Sequence, residues 1–102
     1  MTFVGVARGD DIPAGRGRLV EAGSCTLAVF NGGGGRFYAV SALCPHEDGP
    51  LAEGWLEGDV VICHWHGFDF DLKTGECLVE PGLSVPVYPV RVVSGVIEVD
   101  LP

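Results

Sequence analysis

Apolar side chains in this 102-residue chain recur at every second position, and nowhere do they hold a helical spacing over a convincing length. Phe68, Phe70 and Leu72 alternate with Asp69 and Asp71, and Ile97, Val99 and Leu101 alternate with Glu98 and Asp100. A strand sends successive side chains to opposite faces, so each run predicts a strand with one face buried and one wet. The 16 Gly and 7 Pro punctuate these runs, as a fold with many tight connections requires. Residues 31–35 separate the apolar run 25–30 from 37–40 in the manner of a flexible hairpin loop. Lys73-Thr74-Gly75-Glu76 fits a short turn with Gly75 at positive φ. Ser94-Gly95 suits a two-residue turn between 90–93 and 96–99. Pro86 and Pro89 interrupt the preceding strand and confine its first part to an edge or an irregular approach. The expected fold is all-β, with about eight to ten short antiparallel strands forming a sandwich or barrel-like base.

The length suits a single domain over 1–102 with a modest core. With 47% hydrophobic and 20% charged residues, composition does not predict disorder. The net charge of −8 argues against nucleic acid and against anionic membrane surfaces, since both would repel it. It suits a partner with a basic patch. No run is long and apolar enough to span a bilayer, and residues 1–18 show no secretion signal, so a cytoplasmic protein is expected. In that reducing compartment the cysteines at 25, 44, 63 and 77 read as metal ligands or buried thiols.

The charge is not spread evenly. From Cys44 to about Glu80 there are nine acids against one base, Lys73, whereas the rest of the chain carries five of each. This acidic stretch reads as a subdomain, about residues 43–80, inserted in a charge-balanced β scaffold. It also holds two short clusters, Cys44-Pro45-His46 and Cys63-His64-Trp65-His66, separated by sixteen residues. Each offers one thiolate and one imidazole, a donor pair that suits an iron–sulfur cluster or zinc. Zinc fingers usually group Cys with Cys and His with His. Mixed clusters fit a two-iron site in which one iron takes both thiolates and the other both imidazoles.

The loops CPHEDGPLAEG and CHWHGFDFDLKTGE resemble those of the Rieske ferredoxin family, and the similarity runs over essentially the whole chain. Gly49-Pro50-Leu51 matches the run after the family's first histidine. Gly67, Phe70-Asp71 and Thr74-Gly75-Glu76 match the hairpin after its second. The resemblance implies a Rieske-type 2Fe–2S cluster with Cys44 and Cys63 on the inner iron and His46 and His66 on the outer one. Pro45 would stiffen the first loop, and Gly67 would let the backbone pass close to the cluster. His64 is read as a loop residue without a metal bond, Trp65 as a shield, and Cys25 and Cys77 as separate thiols packed in strands. The glycine run 32–35 is not a phosphate loop, because no helix signal follows it.

The resemblance also implies a function. A soluble ferredoxin of this kind takes one electron from a flavin-dependent reductase and passes it to a terminal oxygenase, without being a catalyst itself. Docking would fall near His46, His66 and the acidic segment. The alternative within the family is the small subunit of an assimilatory nitrite reductase; outside it stands a zinc-stabilised structural domain. High-potential Rieske proteins carry a disulfide at positions matching Gly49 and Trp65, and hydroxyl donors matching Phe68 and Phe70. This chain has neither, which points to the low end of the Rieske range, roughly −150 mV to near zero.

Overall fold

The computed structural model describes residues 2–22, 25–41, 54–62, 69–79, 82 and 84–101. Among them run ten strands: β1 (Thr2–Arg8), β2 (Gly17–Ala22), β3 (Cys25–Gly33), β4 (Arg36–Ser41), β5 (Trp55–Glu57), β6 (Val60–Ile62), β7 (Asp69–Asp71), β8 (Val87–Tyr88), β9 (Val90–Val93) and β10 (Val96–Leu101). A single 3-10 turn, Gly9–Asp11, follows β1. Pairing is antiparallel throughout, in three sheets ordered β1-β10-β9, β2-β3-β4-β8 and β5-β6-β7. The all-β expectation holds.

The four-stranded sheet is the middle layer, and β3 shows why. Its Leu27 and Val29 are buried with Ala39, Ile97, Val99 and Leu101 in a core shared with the β1-β10-β9 base. Its Ala28 and Phe30 are buried with Val40, Val61, Phe70 and Leu72 in a second core shared with the small sheet. A strand covered on both faces reads as an unbroken apolar run rather than an alternation, which is what residues 27–30 are. On β10 the alternation is real: Ile97, Val99 and Leu101 face the base core. Asp100, expected to be wet, is instead 7% exposed, and its Oδ1 has no hydrogen-bond partner among the described residues. It lies on the central strand of its sheet opposite Phe3, so neighbours on both sides shield it.

Three turn expectations can be checked. Ser94 (φ 51°) and Gly95 (φ 79°) form the left-handed pair that a two-residue hairpin demands. Gly75 has φ 82°, and a Cβ there would overlap the Val85 carbonyl oxygen. The 31–35 loop is shorter than expected, because β3 continues to Gly33 and only Gly34 and Gly35 turn. Asn31 holds this end: its Nδ2 donates to the Ile12 carbonyl at 2.7 Å, and its Oδ1 accepts the Gly33 N–H at 2.8 Å.

The two prolines divide one apolar stretch between two sheets. β8 pairs with β4, whereas β9, beginning immediately after Pro89, pairs with β10. Residues 42–86 therefore leave the middle sheet at Ser41 and return at Val87, next to the strand they left. The Ser41 N–H closes this excursion on the Pro86 carbonyl at 3.0 Å.

Candidate metal centre

Cys44, His46, Cys63 and His66 lie outside the described residues, as do His64, Trp65, Gly67 and Phe68. What the structure gives is the mount to which their segments attach. In the small sheet Trp55 is opposite Ile62, and Ile62 is opposite Asp69. Because the strands are antiparallel, the start of β5, the end of β6 and the start of β7 share one end of that sheet. The segment 42–53, with Cys44 and His46, joins that end through Gly54. The segment 63–68, with Cys63 and His66, links Ile62 to its own register partner Asp69. Topology thus roots both Cys/His segments at one end of one sheet.

The roots are firmly held. Val61 and Phe70 are register partners, each one residue from the 63–68 segment, and both are fully buried in the inner core. Cys77 is buried in the same core, opposite Phe70. The Cys25 side chain lies outside the described residues. Beyond the Gly75 turn the chain returns along β7, and the Leu78 N–H reaches the Asp69 carbonyl at 2.8 Å. This leaves Leu78 and Val79 more than half exposed at the end where the ligand segments attach.

The opposite end of the sheet carries a charged knot. Asp59, in the β5–β6 turn, accepts a hydrogen bond from the Tyr38 hydroxyl of β4. Lys73 Nζ stands 3.2 Å and Arg36 Nη1 3.7 Å from its carboxylate. The Tyr38 hydroxyl, then Lys73, hold the Asp59 carboxyl below its usual range, and the same hydrogen bond, with burial, pushes the Tyr38 phenol up. No sequence spacing announces this group, since its members come from three separate stretches. It also bears on docking. Asp59 is engaged with two cations at the end away from the ligand segments, and Asp71 Oδ1 accepts the Lys73 N–H at 2.8 Å. Of the segment's carboxylates among the described residues, Asp69 alone stands at the ligand end.

No group of His, Cys, Asp or Glu among the described residues is set to hold a metal. Nor is any helix there long and apolar enough to cross a membrane. The two rooted segments hold Cys44, Cys63 and the histidines 46, 64 and 66, and two thiols with two imidazoles drawn from them would suit a 2Fe–2S centre ligated on one iron by sulfur and on the other by nitrogen.

Comparison with known proteins agrees. The chain is 39% identical over 94 residues to the 3-phenylpropionate/cinnamic acid dioxygenase ferredoxin subunit of Escherichia coli strain K12, covering 90% of this chain and 87% of that one. Its structure superposes on a chain in the complex of reduced oxygenase and oxidized ferredoxin of carbazole 1,9a-dioxygenase, with TM-score 0.84 and 34% identity, covering 95% of this chain and all of that one. It superposes more closely, at lower identity, on a nitrite reductase small subunit, NADH-dependent by its description, from Mycobacterium tuberculosis, with TM-score 0.91 and 28% identity, over 99% and 96% of the two chains. A family model for the Rieske [2Fe-2S] domain matches residues 2–89. With three stacked antiparallel sheets, two Cys/His segments rooted at one end and this span of similarity, the chain belongs to the Rieske [2Fe-2S] family.

Proposed function

We propose that this protein is a Rieske ferredoxin that carries single electrons from a flavin-dependent reductase to a terminal oxygenase, a dioxygenase or monooxygenase. The observation that carries the reading is the common root of segments 42–53 and 63–68, which attach Cys44 with His46 and Cys63 with His66 to the same end of the small sheet. In this reading Cys44 and Cys63 hold the inner iron, and His46 and His66 hold the outer iron nearest an approaching partner. The chain acts as one domain, with residues of about 43–80 as its cluster-binding part, and works in the cytoplasm. When bound, the cluster would supply a one-electron couple.

The protein's own residues set the conditions for that couple. Phe70, which stands where high-potential relatives place a hydroxyl donor, is fully buried in the apolar inner core and offers no hydrogen bond. Neither Gly49 nor Trp65 can form the disulfide. Both features support a midpoint of roughly −150 mV to near zero, and a midpoint above about +150 mV would contradict that reading.

The test is reconstitution. The iron-loaded protein should be reddish-brown and should be required for NADH-driven oxygenation by a Rieske oxygenase and its reductase. Cys63→Ser should abolish that turnover. A colourless zinc protein, or oxygenation that proceeds equally without the chain, would overturn the proposal. The similarity to a nitrite reductase small subunit supports a second reading, in which the chain is a fixed subunit of such an enzyme. Stoichiometric co-purification with a nitrite reductase large subunit, without support of oxygenation, would select it.

A further inference from the structure

The outer face of the small sheet changes character within the length of one strand. Leu56, Val61 and Phe70 share one register row and pack on the inner core. Side chains alternate across a strand, so the rows on either side of that one face outward. One of them is Trp55, Ile62 and Asp69, at the end where the ligand segments attach, and the other is Glu57, Val60 and Asp71, at the far end. The returning segment 76–78 lengthens both. Phe70 is bridged to the buried Cys77, the Leu78 N–H is bonded to the Asp69 carbonyl, and the Asp71 N–H is bonded to the Glu76 carbonyl. Leu78 therefore follows Asp69 in the first row, and Glu76 follows Asp71 in the second. The ligand-end row is apolar but for one carboxylate, whereas the far row, ~7 Å away along the strands, carries three.

The apolar row is left uncovered. Trp55 is 38% and Leu78 57% exposed, and Val79, next in the chain, is 55% exposed. These side chains are not needed for packing, because the inward row of the same strands already fills the inner core. Asp69 has no ion-pair partner among the described residues, in contrast to Asp59 with its two cations. An exposed apolar strip edged by unmatched charge has the layout of an interface, with a dry centre and a polar rim. Its place in the fold names the occupant. A protein that exchanges an electron with the ligand end must lie against that end, and so must cover this row.

We propose that Trp55, Ile62 and Leu78, with Val79, dock the redox partner by apolar contact, and that the partner's face is apolar with one cation set opposite Asp69. The inference rests on the electron-carrier reading and adds to it the chemistry of the partner's surface. Apolar contact at the centre holds the pair together, and the acidic row behind it selects the partner's sign and speeds encounter.

The test uses the iron-loaded full-length chain in NADH-driven oxygenation by the Escherichia coli 3-phenylpropionate/cinnamic acid dioxygenase and its reductase, with this chain as the titrated component. Leu78→Ser combined with Val79→Ser, both at exposed positions, should raise the chain concentration for half-maximal turnover about tenfold. Turnover at saturation, iron per chain and the midpoint potential should not change. Asp69→Lys should raise the half-saturation concentration by a similar factor, about tenfold, because it sets like charge against the partner's cation. Val93→Ser, an equally exposed change on β9 of the base, should leave it unaltered. Native half-saturation in both the double variant and Asp69→Lys, or an equal rise in Val93→Ser, would overturn the inference and leave the carrier reading in place. An iron-loaded native chain that supports no oxygenation would overturn the carrier reading, and this inference with it.

Discussion

The base and the small sheet solve the same packing problem with different means. In the base, β1 and β10 run for seven and six residues, and the register between them spans nearly their whole length. In the small sheet each strand has three residues. Such short ladders have little stability of their own. They are held by one buried residue each from β6 and β7, Val61 and Phe70, and by Leu72 and Cys77 next in the chain, all pressed on Ala28, Phe30 and Val40. The base is stable by pairing and packing together, whereas the small sheet is stable because it sits on the back of β3. The part that mounts the ligand segments is therefore the part that depends most on tertiary contact.

That contrast can be broken most forcefully at Phe70. Phe70→Ala removes the largest side chain the small sheet gives to the inner core, and it should cost ~3–5 kcal/mol. Cluster content should fall with it, measured as iron per chain, while strand circular dichroism from the base persists below the unfolding midpoint. The matched change Leu27→Ala, on the base-facing side of the same β3, should cost ~2–5 kcal/mol but lower iron content only when the whole protein unfolds. Loss of iron in both variants alike would erase the distinction between the two cores.

Gly75→Ala is next. The positive φ and the nearby Val85 carbonyl leave no room for a Cβ, so a loss of about 2 kcal/mol is expected in chemical denaturation. The damage should concentrate on the 76–86 return, because the Val85 N–H is bonded to the Gly75 carbonyl at 2.8 Å. Amide exchange at residues 76–78 and 85 should quicken before that of β10.

The Tyr38–Asp59 knot offers a pH-resolved test of how the small sheet is tied to the middle layer. Asp59 has a lowered pKa in the folded protein, so its contribution is whole above the unfolded carboxyl value of about 3.8 and is lost as pH falls through the folded value. Tyr38 has a raised pKa, so its contribution is whole below 10.0 and is lost as pH rises through the folded value. Tyr38→Phe should therefore lower stability through the neutral range and lose its effect once the pH has fallen below the lowered folded value of Asp59, where the carboxyl is protonated in both proteins. A deficit that stays constant from neutral to acid pH would show that the hydroxyl acts by packing alone. Smallest of all, Glu98→Gln removes the exposed Arg91 pair at 2.7 Å on the base and should change stability by less than about 0.5 kcal/mol.

Much of the base could be read directly from residue order. β9 and β10 announce themselves by alternation and by Ser94-Gly95, and the run 27–30 is continuous because both faces of β3 are covered. β1 was less legible, since a register shift between Gly5 and Ala7 breaks its alternation. β5 and β6 are too short to show any period, and only their pairing with β7 makes them strands. The donor residues stood out by type and spacing, and the resemblance assigned them roles. Their common root could not be read that way, because it depends on which strand ends adjoin. The Asp59 knot left no local trace, and Asp100 looked wet because alternation alone does not show that a central strand is shielded on both sides.

The most direct measurement of the central claim is pulsed electron paramagnetic resonance on reduced protein grown with nitrogen-15 histidine. Two strongly coupled histidine nitrogens are expected in the native chain and in His64→Gln, and one in each of His46→Cys and His66→Cys. No coupled nitrogen in the native chain, or two in either cysteine variant, would contradict the assignment of His46 and His66 to one iron.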